Sequence, residues 1–137
     1  MATTTPYLFF DGDCRRAMEF YKSCFGGELH VMGYGDAPGQ ECPPGAKDRV
    51  MHAALMNGAF RLMASDVPES DLKRGDNVHV CMDCDSLEQI EKVFPAVAQG
   101  GKVGQPLHDA FWGARFGMLT DRFGVHWMFV FDKSKKT

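Results

Sequence analysis

The sequence of 137 residues predicts an α+β fold made of two β-α-β-β-β modules. Two observations support this prediction. A strand, a helix and a Gly-Gly pair follow one another twice along the chain, and each half then ends in a two-stranded hairpin. We expect module one at about residues 6–66, a linker at about 66–76 and module two at about 77–131. Neither module alone would bury its sheet face, so we expect one domain, residues 1–137.

Module one begins with a short apolar strand at residues 7–11. The next segment, residues 14–25, has apolar side chains on one face at helical spacing. Asp13 is the predicted N-cap of this helix, and Gly26-Gly27 is its predicted end. Asn57-Gly58 predicts a tight hairpin turn. The three remaining strands are predicted at residues 28–32, 49–56 and 60–65.

Module two repeats this order, beginning with a strand at residues 78–84. The segment Asp85-Ser86-Leu87-Glu88 predicts a capping box at the start of a helix. That helix ends at Gly100-Gly101, and a strand near Lys102-Val103 follows. The predicted apolar face of this helix consists of Leu87, Ile90, Val93, Phe94 and Val97.

The aromatic segment at residues 111–131 predicts the hairpin of module two. Its strands are expected at residues 115–120 and 125–131, on either side of a turn at residues 121–124. Side chains of the last strand alternate between two faces. Val125, Trp127, Phe129 and Phe131 are expected to pack under a helix, whereas His126, Met128 and Val130 could line a cavity.

Composition excludes several classes of function. The net charge is −3, and the only basic run is a short one at residues 133–136, which argues against a nucleic-acid partner. No apolar run approaches the roughly 18 residues of a membrane span, so no membrane partner is expected. The first residues lack the pattern of a signal peptide, so the expected location is cytoplasmic.

The five cysteines are expected to be free thiols, since the number is odd and the cytosol is reducing. Cys42 lies in a Gly/Pro-rich loop at residues 33–48, and it is the cysteine that we most expect to be exposed. The roles of Cys42 and of this loop stay open. Cys81 and Cys84 are spaced as Cys-x-x-Cys, but on a strand they would point to opposite faces. We expect two unrelated buried thiols.

Four segments carry a resemblance to a known family: residues 7–29 (YLFFDGDCRRAMEFYKSCFGGEL), 50–55 (VMHAAL), 62–66 (LMASD) and 111–128 (FWGARFGMLTDRFGVHWM). On these segments the chain resembles the PhnB-like branch of the vicinal-oxygen-chelate (glyoxalase/bleomycin-resistance/dioxygenase) superfamily. The resemblance implies that the strands of both modules curl into one curved mixed sheet, a cup. It also implies that this cup holds a small-molecule ligand or a metal, usually within a homodimer.

Metal-binding members of that superfamily place His or Glu at four positions, two in each module. Here the corresponding positions hold Pro6 or Tyr7, Met63, His79 and Met128. A thioether is a poor ligand for Mg, Mn, Ni or Zn, which leaves His79 as the single candidate ligand. We therefore expect no metal site of the usual kind and no cofactor. A divalent metal stays an alternative if His52, His79 and His126 converge.

The resemblance and the residues together predict a small-molecule-binding protein of the glyoxalase/bleomycin-resistance type. The alternative is a metal- or His-dependent lyase, isomerase or oxygenase that acts on a small oxygenated substrate. Trp112 and Phe111 could stack on a flat ligand or simply close the fold. The residues expected to line the cup are Phe9, His52, Met63, His79, Trp112, His126 and Met128.

Overall fold

The computed structural model describes residues 2–36, 46, 48–68 and 72–134. The chain divides into two compact units, Met1–Arg74 and Gly75–Thr137. Among the described residues, each unit contains one α-helix and one mixed four-stranded sheet, so the predicted α+β class and the repeated β-α-β-β-β order are confirmed. The strands lie in two four-stranded sheets and not in the one mixed sheet that the resemblance implied. That the two units form a single domain stays a prediction.

Unit 1 has the strand order β1-β4-β3-β2, with β1 parallel to β4 and the other pairs antiparallel. A short 3-10 turn, Tyr34–Asp36, follows β2. The elements are β1 (Tyr7–Phe10), α1 (Cys14–Phe25), β2 (Glu28–Gly33), β3 (Val50–Asn57) and β4 (Phe60–Asp66).

Unit 2 repeats this topology, with the order β5-β8-β7-β6 and β5 parallel to β8. The predicted turn before β8 is present: the Gly124 N–H donates to the Asp121 carbonyl over 3.0 Å, and Gly124 has a φ of 86°. The elements are β5 (Val80–Asp83), α2 (Leu87–Ala98), β6 (Lys102–Asp109), β7 (Ala114–Thr120) and β8 (His126–Asp132).

Each helix packs on one face of its own sheet. The buried side of α1 includes Met18 and Tyr21, and it meets alternate strand residues such as Leu55 and Leu62. In unit 2, the rings of Phe94 and Phe129 meet edge to face with centroids 5.7 Å apart. The predicted helix-facing set of the last strand is confirmed for its aromatic members, which are buried: Trp127, Phe129 and Phe131.

The other face of each sheet points away from its helix, and we call it the distal face. Register pairs share a face, because neighbouring strands align their side chains. The distal face of unit 1 carries Tyr7, Phe9, His52, Ala54, Met63 and Ser65. The distal face of unit 2 carries Cys81, Phe116, Met118, Thr120, His126 and Met128, and His79 lies directly before β5 on the same side.

The start of α1 differs from the prediction. Asp13 makes no side-chain capping bond and instead pairs with Arg16. The cap comes from Asp66 at the end of β4, whose Oδ1 accepts from the N–H groups of Gly12 (2.8 Å) and Cys14 (3.0 Å). In α2, Ser86 Oγ accepts from the Gln89 N–H over 3.1 Å, and Gln89 Oε1 accepts from the Asp85 N–H over 2.7 Å, so Gln89 rather than Glu88 is the partner of Ser86.

Other differences concern exposure and strand length. Leu87 is exposed in the first turn of α2, although its spacing predicted the apolar face. Cys84 is buried as predicted, but Cys81 is exposed because it lies on the distal face of the edge strand β5. Strand β6 extends to Asp109, beyond the short strand predicted at Lys102-Val103. Cys42 and most of the 33–48 loop lie outside the described residues.

None of the helices among the described residues is long and apolar enough to cross a bilayer.

Candidate functional site

The distal face of unit 1 brings together three residues that the sequence singled out: Phe9, His52 and Met63. Tyr7 is the register partner of Met63 across the parallel β1–β4 pair. The rings of Tyr7 and Phe9 lie side by side on β1, with centroids 5.2 Å apart. This face is therefore a surface of aromatic rings, a thioether and an imidazole.

Tyr7 also contacts His52 across the sheet. Its hydroxyl lies 3.1 Å from His52 Nδ1, within hydrogen-bonding distance, and the two ring centroids are 5.7 Å apart. If the phenol donates, the imidazole carries its proton on Nε2; if Nδ1–H donates, Nε2 is a free base. Either way, one nitrogen of His52 is held and the other is left to face a ligand.

Apolar side chains on this face are exposed to an unusual degree. Phe9 is 55% exposed, Met32 is 43% exposed and Tyr7 is 40% exposed. Clustered apolar surface of this kind is typical of sites that bind ligands or partners. The adaptable thioether of Met63, half-buried beside Tyr7, suits contact with ligands of varied shape.

The distal face of unit 2 brings together His79 and His126. Their rings are stacked, with centroids 5.1 Å apart and an interplanar angle of 26°. His126 is held at both nitrogens, since Nδ1 lies 2.8 Å from Thr120 Oγ1 and Nε2 lies 3.2 Å from the Gly75 carbonyl. The ring of His126 is therefore fixed in orientation.

His79 has fewer hydrogen-bonding partners than His126. Its Nδ1 is buried and has no hydrogen-bonding partner among the described residues. A buried polar atom without a partner costs roughly 1–3 kcal/mol, so such atoms are rare in folded proteins. His79 Nδ1 is therefore the atom of this face best placed to gain from a bound ligand.

Met128 lies two residues beyond His126 on the same face. Its register partners are Cys81 on β5 and Met118 on β7. The sequence analysis treated Cys81 only as one of two unrelated buried thiols, but the strand register places Cys81 directly beside Met128. The residue that sequence reasoning overlooked here is thus Cys81, and the parallel pairing of β5 with β8 was the missing information.

Trp112 lies in the turn between β6 and β7. It is 58% exposed, and its ring centroid is 6.0 Å from that of Phe116 on the distal face of unit 2. Phe111 beside it is 98% exposed. Because both rings are exposed, they do not close the core, which was one of the two predicted roles.

The donor set does not fit a divalent metal of the kind that the superfamily uses. The positions that the resemblance matches with metal ligands hold Pro6 or Tyr7 and Met63 in unit 1, and His79 and Met128 in unit 2, so His79 is the single candidate ligand. A catalytic divalent metal normally needs about three nitrogen or oxygen ligands. Across residues 2–36, 46, 48–68 and 72–134, no group of three or more His, Cys, Asp or Glu side chains lies together.

Comparison with known proteins gives three informative relatives. The chain is 41% identical to protein PA1353 from Pseudomonas aeruginosa, covering 96% of this chain and 98% of that one, with a TM-score of 0.85. It is 27% identical to a PhnB protein from Bacillus cereus, covering 95% and 99%, with a TM-score of 0.72. Protein YjdN from Escherichia coli K12 is 29% identical over 97% of both chains.

The family model described as "Glyoxalase/Bleomycin resistance protein/Dioxygenase superfamily" matches residues 4–129. That range includes both helices, both sheets almost completely and every candidate site residue. The fold, the repeated topology and this match agree, and the likeness to a PhnB protein confirms the branch that the sequence resembled. The chain belongs to the glyoxalase/bleomycin-resistance/dioxygenase superfamily.

Proposed function

We propose that this protein binds a small, partly apolar molecule on its distal faces without a divalent metal. The observation that carries the proposal is the register pairing of Met63 with Tyr7. The resemblance matches Met63, and Pro6 or Tyr7, with positions where metal-binding members place ligands. A thioether and a phenol replace nitrogen and carboxylate donors there. These residues therefore favour apolar contacts with a ligand over coordination of a metal ion.

The surrounding residues define the ligand class further. Phe9 and Tyr7 offer exposed ring faces, which favour flat or aromatic groups. His52 and His79 each leave a nitrogen for one directional hydrogen bond, as a carbonyl or carboxylate would require. A small aromatic acid or 2-oxo acid combines both features. The proposed binding residues are Phe9, His52, Met63, His79, Trp112, His126 and Met128.

Metal analysis of protein purified without an affinity tag or chelator tests the metal-free part of this proposal. After supplementation with Mn, Fe, Ni or Zn and desalting, we expect far less than one divalent ion per chain. One tightly held divalent ion per chain that is lost in His79→Ala would contradict the proposal. His30→Ala is the matched control, because His30 is exposed and lies in unit 1.

A second candidate function is His-dependent catalysis on a small oxygenated substrate. The contact between Tyr7 and His52 favours it, because a positioned imidazole is the most frequent general acid or base and the Tyr7 hydroxyl lies within hydrogen-bonding distance of this one. If this candidate is correct, Tyr7→Phe and His52→Gln should each reduce turnover of an enolisable carbonyl compound by at least about tenfold. If the parent and both variants turn the compound over at the same slow background rate, the candidate is rejected.

We also propose a cytoplasmic homodimer. Exposed apolar residues outside the distal faces support self-association, above all Phe111 and Val78, which is 75% exposed. Light scattering at micromolar concentration should give twice the chain mass. A monomer mass over the whole concentration range would reject the dimer.

A further inference from the structure

Ser65 is a buried polar residue on the distal face of unit 1. It lies on the inner strand β4 and is the register partner of Phe9 on β1. On the other side of β4, Ala64 pairs with Ala53, so the next position along the antiparallel pair brings Ser65 beside His52. Ser65 is only 5% exposed, whereas Phe9 on the same face is 55% exposed. Neighbouring side chains must therefore cover Ser65.

The contact between Tyr7 and His52 provides this cover. Tyr7 lies on β1 and His52 on β3, and β4 runs between these two strands. Because neighbouring strands lie about 4.8 Å apart, the backbones of β1 and β3 are about 9.6 Å apart. The Tyr7 hydroxyl nevertheless lies 3.1 Å from His52 Nδ1, and the two ring centroids are 5.7 Å apart. The two side chains therefore meet above β4, on the face that carries Ser65.

The hydroxyl of Ser65 makes no hydrogen bond to another side chain or backbone group among the described residues. A serine hydroxyl has one donor and two acceptor sites, and buried polar atoms are nearly always paired. The Tyr7 hydroxyl and His52 Nδ1 above it contact each other. The donor of Ser65 is thus buried next to exposed aromatic rings, in a position where an acceptor oxygen of a ligand would satisfy it.

We propose that Ser65 is a specificity-determining residue whose hydroxyl donates to a carboxylate or carbonyl oxygen of the bound molecule. That oxygen reaches Ser65 when the Tyr7 ring turns away from His52, and the apolar part of the molecule then lies against Phe9. The distal face of unit 1 thereby selects aromatic molecules that carry an acceptor oxygen over plain hydrocarbons. The inference rests on the proposed function, because it requires a small molecule on this face.

Isothermal titration calorimetry with phenylpyruvate and with benzoate, both in the presence of EDTA, tests this role. We expect at least one of these acids to bind the parent and to bind Ser65→Ala about tenfold more weakly, because a hydrogen bond to a charged acceptor is lost. Ser86→Ala is the matched control. Ser86 Oγ accepts from the Gln89 N–H at the start of α2 in unit 2, so its removal should leave the affinity unchanged.

Thermal denaturation without ligand separates a role in binding from a structural role. Ser65→Ala should have the melting temperature of the parent or a higher one, because the hydroxyl makes no bond among the described residues that could be lost. Ser86→Ala should have a lower melting temperature, because α2 loses its N-cap. A lower melting temperature for Ser65→Ala would show that the hydroxyl stabilises the fold, and the inference would be overturned.

The inference and the proposed function fail in different ways. If either acid binds the parent and Ser65→Ala with equal affinity in EDTA, the role of Ser65 is overturned and the proposed function stands. If neither acid binds the parent, or if binding requires an added divalent metal, both are overturned.

Discussion

At the residue scale, Asp66 is the polar side chain that matters most for the structure of unit 1. It is 1% exposed, and it accepts from three backbone N–H groups in separate segments: Gly12, Cys14 and Val50. One carboxylate thus joins the end of β4, the start of α1 and the start of β3. Asp121 has a similar role in unit 2, where Oδ2 accepts from Trp127 Nε1 at 2.9 Å.

Replacement of Asp66 by Ala should lower the free energy of unfolding by about 3–5 kcal/mol, because two buried N–H groups and one partly buried N–H group lose their acceptor. Asp13→Ala should cost less than about 1 kcal/mol, because Asp13 makes a partly exposed ion pair and no cap. Urea denaturation of both variants measures the difference. Equal losses in the two variants would contradict the role of Asp66 as the acceptor that holds the start of α1.

The prediction that Asp13 caps α1 is wrong for a physical reason. Asp13 has the right residue type directly before a helical pattern, and local spacing favours it as a cap. Asp66 is more than fifty positions away, and only the parallel pairing of β1 with β4 brings it to the helix start. Short-range patterns contain no information about such a contact.

At the element scale, both helices end at a Gly-Gly pair that passes close to a hairpin. Gly101 lies so near the β7–β8 turn that a Cβ would meet the Asp121 Cα at 2.8 Å and the Thr120 carbonyl oxygen closer still. Gly27 has the equivalent position in unit 1, where a Cβ would meet Asn57 Cβ at 2.8 Å. The two pairs therefore have the same structural role.

Gly101→Ala should destabilise the protein by about 2–3 kcal/mol, since backbone atoms of the hairpin would have to move. Gly104→Ala is the matched control, because Gly104 also lacks a positive φ and a Cβ there would meet only the Met118 carbonyl oxygen at 3.7 Å. We expect that control to change stability by less than about 0.5 kcal/mol. Thermal denaturation monitored by circular dichroism distinguishes the variants, and similar midpoints would contradict the close approach.

The elements themselves were largely predictable. The bounds of α1 and the repeated strand order follow from local periodicity and from Gly and Asn-Gly signals. The length of β6 was not predictable, because residues 104–109 contain Gly, Pro and Gln and have no apolar alternation. Pairing with β7 holds those residues in a strand, and that pairing is a tertiary effect.

At the scale of the whole molecule, the candidate site was only partly predictable. Strand alternation correctly predicted that His52 shares a sheet face with Ala54, and His126 with Met128, because the face on which a side chain lies alternates along a single strand. The contact between Tyr7 and His52, the stacking of His79 on His126 and the pairing of Cys81 with Met128 all join different strands. Register between strands far apart in sequence decides these contacts.

Buried thiols in both units predict how stability depends on pH. Burial, with Asp66 nearby, raises the pKa of the Cys14 thiol to about 12, and burial, with Asp83 nearby, raises the pKa of Cys84 to about 12. The unfolded chain loses these protons first, near pH 9. The associated stability is therefore complete below about pH 9 and is lost as the pH rises towards 12.

The free energy of unfolding, measured by urea denaturation between about pH 9 and 11, should fall more steeply for the parent than for Cys14→Ala and Cys84→Ala, by up to about 1.4 kcal/mol per pH unit for each thiol. We propose that residues 1–137 form one cooperative domain. Each variant should then show one unfolding transition whose free energy depends less steeply on pH than that of the parent, although Cys14 lies in unit 1 and Cys84 in unit 2. Two separate transitions, each affected by one variant, would contradict the single domain.

The central claim is that the distal faces bind a small molecule without a divalent metal. A thermal-shift screen of aromatic acids and 2-oxo acids, run with and without EDTA, tests it most directly. We expect a compound whose stabilisation survives EDTA and is lost in Met63→Glu, which puts a charge beside Tyr7, but not in Arg15→Glu, which puts the same charge at an exposed position of α1. Stabilisation that appears only with added Mn, Ni, Zn or Fe and disappears with EDTA would contradict the account.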